Sequence, residues 1–367
     1  MGIDQRTRMT RFSALILMLA IAPSPVPAAD SEGSNNPTPF WSAQPTTSIN
    51  VQERTFKNGT INLSGTLYTP QVKGRVPAVI VFHAASSPTR DFPLYRHVVE
   101  MLPPLKVAVF VFDRRGSGKS GGKLEDTDYA MLADDGIAAQ HMLANDPLID
   151  PRRIGFWGLS QGGWLALLAA SRSSQTAFAI SISAPMTTPD IQMNFLVANI
   201  LGIKGFPRAD IDRAVATRTA VDDFMRGKRD RASTQAVVDA AAAEPWFEHV
   251  YMGKTFKDPD QSRWAKEMRH DPLATLDAVK VPALVIYGSA DPVVPAQISV
   301  ERLRASAARH PHIEVAVIAG ADHAMATSFS AADQLDPVLS AKEAPESAEY
   351  FGLLGAWLAR QDIAQVP

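Results

Sequence analysis

Three side chains in this sequence, Ser160, Asp291 and His323, have the types and the order that nucleophilic catalysis needs. A serine hydroxyl is a poor nucleophile until a base takes its proton, and imidazole is the side chain suited to that near neutral pH. A carboxylate can then hold the imidazole tautomer and stabilise the imidazolium. Ser160 sits in Gly158-Leu-Ser160-Gln-Gly162, a G-x-S-x-G pattern that thrusts a serine out of a sharp strand-to-helix turn. Flanking residues without a Cβ let strand and helix close beneath it, and the new helix N-terminus offers free N–H groups to a developing oxyanion. Asp291 ends Gly288-Ser-Ala-Asp291, and His323 ends Ala319-Gly-Ala-Asp322-His323. The chain order nucleophile, acid, base is the one that accompanies this kind of elbow. Asp322 adjoins His323, and adjacent residues rarely allow the orienting contact, so Asp291 is the candidate acid. The other histidines, His83, His97, His141, His249, His270, His310 and His312, read as surface or structural residues.

Positioning these groups requires strands. Val76–Phe82, Val107–Phe112, Arg153–Trp157, Ala177–Ser183, Ala283–Tyr287 and His312–Ile318 are apolar runs of the kind buried on both faces of a parallel sheet. Helical stretches at Leu94–Leu102, Asp128–Leu143, Gly162–Ser171, Ile298–Ala308 and Glu346–Arg360 lie between and after them. Alternation of this kind implies β–α–β crossovers. The N-terminal runs, Ile49–Phe56 and Thr60–Tyr68, flank Asn58-Gly59 and predict an antiparallel hairpin. The expected fold is α/β, a mostly parallel central sheet with helices on both faces, N-terminal antiparallel strands and a helical cap insertion. Open sheets of this class bind ligands at the carboxyl ends of their strands, where all three candidate residues fall. The loop after Phe82, His83-Ala84-Ala85-Ser86, should give one oxyanion-hole N–H, assigned to Ala85 with Ala84 as the alternative. The Gln161 N–H should give the other.

Residues 188–270 break the rhythm. Ile191–Leu201, Ala209–Arg226 and Ser233–His249 read as amphipathic helices, with no convincing strand among them. Aromatic and methionine residues gather there, which suggests a cap over the site. Candidate substrate-binding residues are Ala84, Trp164, Phe195 and Trp246. The expected organisation is a core of residues 49–187 and 271–367 interrupted by the cap at 188–270.

Composition sets the address. The 367 residues carry a net charge of −2 and are 46% hydrophobic, with no basic block to attract nucleic acid or a membrane surface. Arg6, Arg8 and Arg11 precede the apolar run Phe12–Ala22, and small residues follow to Ala28. This is a secretory signal pattern, residues 1–28, too short in its apolar part to span a bilayer. Residues 29–48 are polar and proline-rich and read as a flexible leader. The expected location is secreted or periplasmic. With no cysteine, a thiol nucleophile, a thiolate metal site and disulfides are excluded.

Asp113-Arg-Arg-Gly-Ser-Gly-Lys-Ser120 is glycine-rich and follows a strand, but it lacks phosphate-loop spacing and reads as a turn anchored by Asp113 and Arg115. No metal-ligand spacing appears. Taken with Phe82-His83, Gly158–Trp164, Asp271-Pro272, Gly288–Asp291 and Asp322-His323, this segment gives a chain that resembles the α/β-hydrolase superfamily. It is most similar to the secreted esterase, serine-aminopeptidase-like and dienelactone-hydrolase-like branch, over about residues 50–187 and 271–360. Where that family usually has His-Gly, this chain has His83-Ala84. The resemblance implies hydrolysis of a carboxylic ester through an acyl-serine, without metal or cofactor, on a small-molecule substrate. The alternative is a serine peptidase acting on short peptides, for which Asp210, Asp212, Asp222 and Asp223 could hold a free N-terminus.

Overall fold

The computed structural model describes residues 48–327, 330–335 and 346–365. The signal segment and all of the leader except residue 48 lie outside them. In chain order the elements are β1 (Ile49–Asn58), β2 (Ile61–Pro70), β3 (Val76–Phe82), α1 (Arg96–Met101), β4 (Ala108–Phe112), α2 (Tyr129–Ala144), β5 (Ile149–Leu159), α3 (Gln161–Arg172) and β6 (Ala179–Ile182). Then follow α4 (Pro189–Ile203), α5 (Arg208–Met225), α6 (Arg231–Ala241), α7 (Arg263–Glu267), α8 (Pro272–Ala278), β7 (Ala283–Gly288), α9 (Ala296–Ser306), β8 (Ile313–Ile318), α10 (Ala331–Gln334) and α11 (Ala348–Arg360).

The eight strands form one sheet in the order β1-β2-β4-β3-β5-β6-β7-β8. β1 and β2 pair antiparallel as the Asn58-Gly59 turn predicts, and β2 runs antiparallel to β4. Every other pairing is parallel. Side-chain alternation explains why the inner strands are apolar throughout. Ala78, Ile80 and Phe82 of β3 face one layer with α2 and α3, while Val79 and Val81 face the other with α1 and α11. With both faces covered, β3, β4, β6 and β7 bury every side chain. β8 closes one edge and is correspondingly half-exposed.

Between β6 and α8 the chain makes α4 to α7 and no strand, as the sequence predicts. These helices have an apolar cluster of their own, centred on Val197, Phe224, Val238 and Trp246. The predicted helix over 233–249 stops at Ala241, and a single 3-10 turn at Phe247–His249 follows. Pro245 is the cause: it lacks an N–H and disfavours helical geometry in the residue before it. α8 begins cleanly at Asp271-Pro272, where the Asp271 carboxylate accepts the N–H groups of Leu273 and Ala274 at 2.9 and 3.2 Å. Among the described residues no helix is long and apolar enough to cross a membrane.

Candidate active site

The turn between β5 and α3 is closed to side chains. A Cβ at Gly158 would lie 2.0 Å from the Gly162 carbonyl oxygen, and one at Gly162 would lie 2.4 Å from the Phe82 carbonyl oxygen. Ser160 between them has φ 57° and ψ −122°, a left-handed conformation costing about 1–3 kcal/mol that persists only where surroundings enforce it. Its N–H donates to Ile182 O at 2.8 Å, which ties the apex to β6. Gly158→Ala should therefore lower stability by about 1–3 kcal/mol, the scale of an overpacked core. Urea unfolding would measure it, and an unchanged midpoint would mean that strand and helix can separate without loss.

Asp291 and His323 follow β7 and β8, at the same sheet edge as Ser160. The His323 Nδ1 donates to Asp291 Oδ2 at 2.8 Å, since an ionised carboxylate only accepts. Asp291 Oδ1 accepts the N–H groups of Val293 and Val294 at 2.7 and 3.1 Å, and the side chain is fully buried. Both oxygens are thus committed and the carboxylate is held in one orientation. Asp322 is occupied elsewhere: its Oδ1 accepts the N–H groups of Ala324 and Ala326, each at 2.8 Å. His323 Nε2 is buried and has no hydrogen-bond partner among the described residues. Burial lowers the pKa of this imidazole, but the charge and hydrogen bond of Asp291, with the charge of Asp322, outweigh it and raise the pKa above the ordinary 6.5. The stabilisation tied to that shift is present below the unfolded value and is lost as pH rises through the folded one.

The loop after β3 treats its two alanines differently. The Ala84 N–H donates to Tyr95 Oη at 2.9 Å, and Tyr95 Oη donates to Ser87 O at 2.7 Å. Ala84 is 4% exposed. It is corrected both as an oxyanion donor, its N–H being spent, and as a substrate contact, its side chain being sequestered. Ala85 is half-buried and next in line. Gln161 opens α3, where its N–H has no carbonyl one turn back to bond; its side-chain amide donates to Tyr129 Oη at 3.2 Å.

The aromatic candidates separate. Trp164, on α3, is buried in the core, with Nε1 donating to Pro185 O at 2.6 Å. Trp246, 1% exposed, fills the cluster of the α4–α7 segment and so packs rather than meets a ligand. Phe195 is half-buried on α4. The neighbouring α4 residues Met193, Leu196 and Ile200 pack on Val293 and Val294, directly after Asp291, and Asn199 Nδ2 donates to Pro292 O at 2.6 Å. His270 is one of the structural histidines: its ring lies 5.3 Å from both Tyr129 and Trp164. Burial drives its pKa down to about 4, so it is a neutral ring at neutral pH.

The sheet order, with antiparallel β1 and β2 and a strained serine at the β5–α3 turn, defines an α/β hydrolase. The chain belongs to the family described as serine aminopeptidase, S33, whose model matches residues 78–327. A thiohydrolase of Arthrinium phaeospermum is 30% identical over 124 residues, 33% of this chain and 38% of its own length. A thiohydrolase of Aspergillus aculeatus is 25% identical over 214 residues, 56% of this chain and 60% of its own length. The chain thus spans less than two thirds of the length of these relatives. Among solved structures, Est1E of Butyrivibrio proteoclasticus with bound ferulic acid superposes with a TM-score of 0.54 at 18% identity, covering 84% of this chain and 99% of that one. The Pyrococcus furiosus esterase Pf2001 gives 0.52 at 20% identity, covering 86% and 91%. At these identities the likeness is one of fold.

Proposed function

We propose that this hydrolase cleaves carboxylic esters through an acyl-serine, with Ser160 as nucleophile, His323 as base and Asp291 as the acid that orients it. The observation carrying this is the His323 imidazole, bonded through Nδ1 to a fully committed carboxylate while Nε2 is left open at the edge that bears the strained serine. His323 takes the hydroxyl proton as Ser160 attacks, and the N–H groups of Ala85 and Gln161 stabilise the tetrahedral oxyanion. His323 then protonates the leaving alkoxide, and water repeats the sequence to release the acid. Residues 188–270 act as a cap, and its apolar seam with Val293 and Val294 supports a largely apolar acyl group. Phe195 is the cap residue flanking that group, whereas Trp164, buried in the core with its Nε1 on Pro185 O, is not a substrate contact. The arginine-led apolar N-terminus supports a secreted or periplasmic location.

Thioesters are the nearest further substrates, since two relatives are thiohydrolases and a thiolate leaves through the same intermediate. Peptides are less well supported. Asp210 and Asp212 are paired with Arg213 and Arg208 on the surface, and Asp222 accepts from Trp264 Nε1, so these carboxylates are engaged within the segment itself. The test is a panel of p-nitrophenyl esters and acyl thioesters against aminoacyl-p-nitroanilides, with a fluorophosphonate probe. Turnover of esters with Ser160 labelled is the expected result; preference for the anilides, or label on another residue, would overturn it.

A further inference from the structure

The motif Asp113–Ser120 contains a cation that its role as a structural turn does not use. Arg115 pairs with Asp135, and Asp113 receives the N–H groups of Arg90 and Lys119 at 3.0 and 2.8 Å, as an anchored turn requires. Arg114, between them, turns the other way. It is 2% exposed, and its guanidinium donates to three successive carbonyls of the loop after β3: Ala85 O at 3.0 Å, His83 O at 3.4 Å, and Ala84 O. Its own N–H donates to Pro88 O at 2.8 Å. Among the described residues no carboxylate lies within ion-pair distance of it; Arg263 and Glu267 of α7 act on it only through their field. Burying a cation against neutral carbonyls is costly, and burial moves its pKa down to about 10, so the arrangement calls for a use.

Peptide geometry supplies one. The Ala84 carbonyl and the Ala85 N–H belong to the same planar trans unit and point in opposite directions. Fixing the carbonyl fixes where the N–H points, and a cation on the oxygen strengthens the N–H as a donor. The preceding unit, with His83 O on Arg114 and the Ala84 N–H on Tyr95, is fastened at both ends. The next two units are held at their oxygens by Arg114, the Ala84 carbonyl also accepting the Ser87 N–H at 3.3 Å, and among the described residues neither the Ala85 nor the Ser86 N–H has an acceptor; Ala85 is the first of the two after the fastened unit. We infer that Arg114 is the positioning residue of the oxyanion hole, clamping three loop carbonyls so that the Ala85 N–H faces the reacting carbonyl. This rests on Ser160 being the nucleophile.

The test is Arg114→Gln and Arg114→Lys, read by kcat, KM, the affinity of a trifluoromethyl ketone that forms a tetrahedral adduct, and melting temperature. Arg114→Gln should lower kcat about 100-fold with KM changed less than about threefold, and should weaken the ketone in parallel, the scale of losing one oxyanion donor. Arg114→Lys keeps the charge but cannot span three carbonyls, so it should lose about tenfold in kcat and in ketone affinity. Should the Gln variant fail to fold, the Lys variant decides. Unchanged kcat in a folded variant, a loss confined to KM, or a lower melting temperature with ketone affinity intact would overturn the inference. Fluorophosphonate labelling of the parent protein separates the two claims: no label on Ser160 rejects the nucleophile, whereas label with an unaffected Arg114 variant rejects only the clamp.

Discussion

Ser160→Ala should lower kcat on the best ester by on the order of 10⁵–10⁶-fold, the loss found when the nucleophile of a triad hydrolase is removed. Fluorophosphonate labelling should vanish with it, while KM or the affinity of a non-reacting ester analogue stays within a few fold. The structure makes this a clean substitution. Ser160 precedes α3 but its hydroxyl caps no N–H of that helix, so removing the oxygen leaves the helix start intact. Alanine also keeps the Cβ, and with it the strain at φ 57°. Stability should therefore change by less than about 0.5 kcal/mol, as for a substitution touching no cap or cavity. Ser160→Gly makes the complementary measurement: it abolishes activity equally but relieves the backbone, so it should be the more stable of the two by about 1 kcal/mol. Substantial turnover by the alanine variant would remove Ser160 from the mechanism altogether.

The elbow is legible in sequence because its constraint is local and steric: Gly158 and Gly162 stand where any Cβ would strike backbone. The strands are legible for a related reason, since β3 and β4 must be apolar on both faces and so appear as unbroken runs. Strand ends then locate Asp291 and His323 without further information. What sequence does not carry is the direction in which a side chain leaves its turn. Arg114 and Arg115 are the same residue side by side, yet one meets Asp135 on α2 and the other meets loop carbonyls 29 to 31 positions upstream. Tyr95 is equally silent: nothing around it marks a hydroxyl that will take the Ala84 N–H. Trp246 errs in the opposite sense. An aromatic in a helical insertion looks like a ligand contact, but the segment has to bury a core of its own, and the tryptophan goes there. Pro245, which ends the helical stretch early, is the one local signal that sequence offers and the amphipathic pattern masks.

Asp291→Asn should cost about 10⁴-fold in kcat, and the surroundings of Asp291 say why a nearly isosteric change is so damaging. Oδ1 accepts two backbone N–H groups, from Val293 and Val294. An asparagine must keep its carbonyl oxygen there, because the reverse flip would set an NH₂ against two donors. The amide nitrogen is then forced toward His323 Nδ1, which must become an acceptor and give its proton to Nε2. The imidazole so fixed cannot take the Ser160 proton. The variant should also move the pH profile. With His323 as the proposed base, kcat/KM of the parent should rise with pH through its raised pKa, placing the acid limb above 6.5. Without the Asp291 charge the lowering by burial is less opposed, and the limb of the residual activity should shift to lower pH. A variant that keeps the parental limb would show that another group governs it, and one that keeps most of the parental kcat would remove Asp291 from the orienting role.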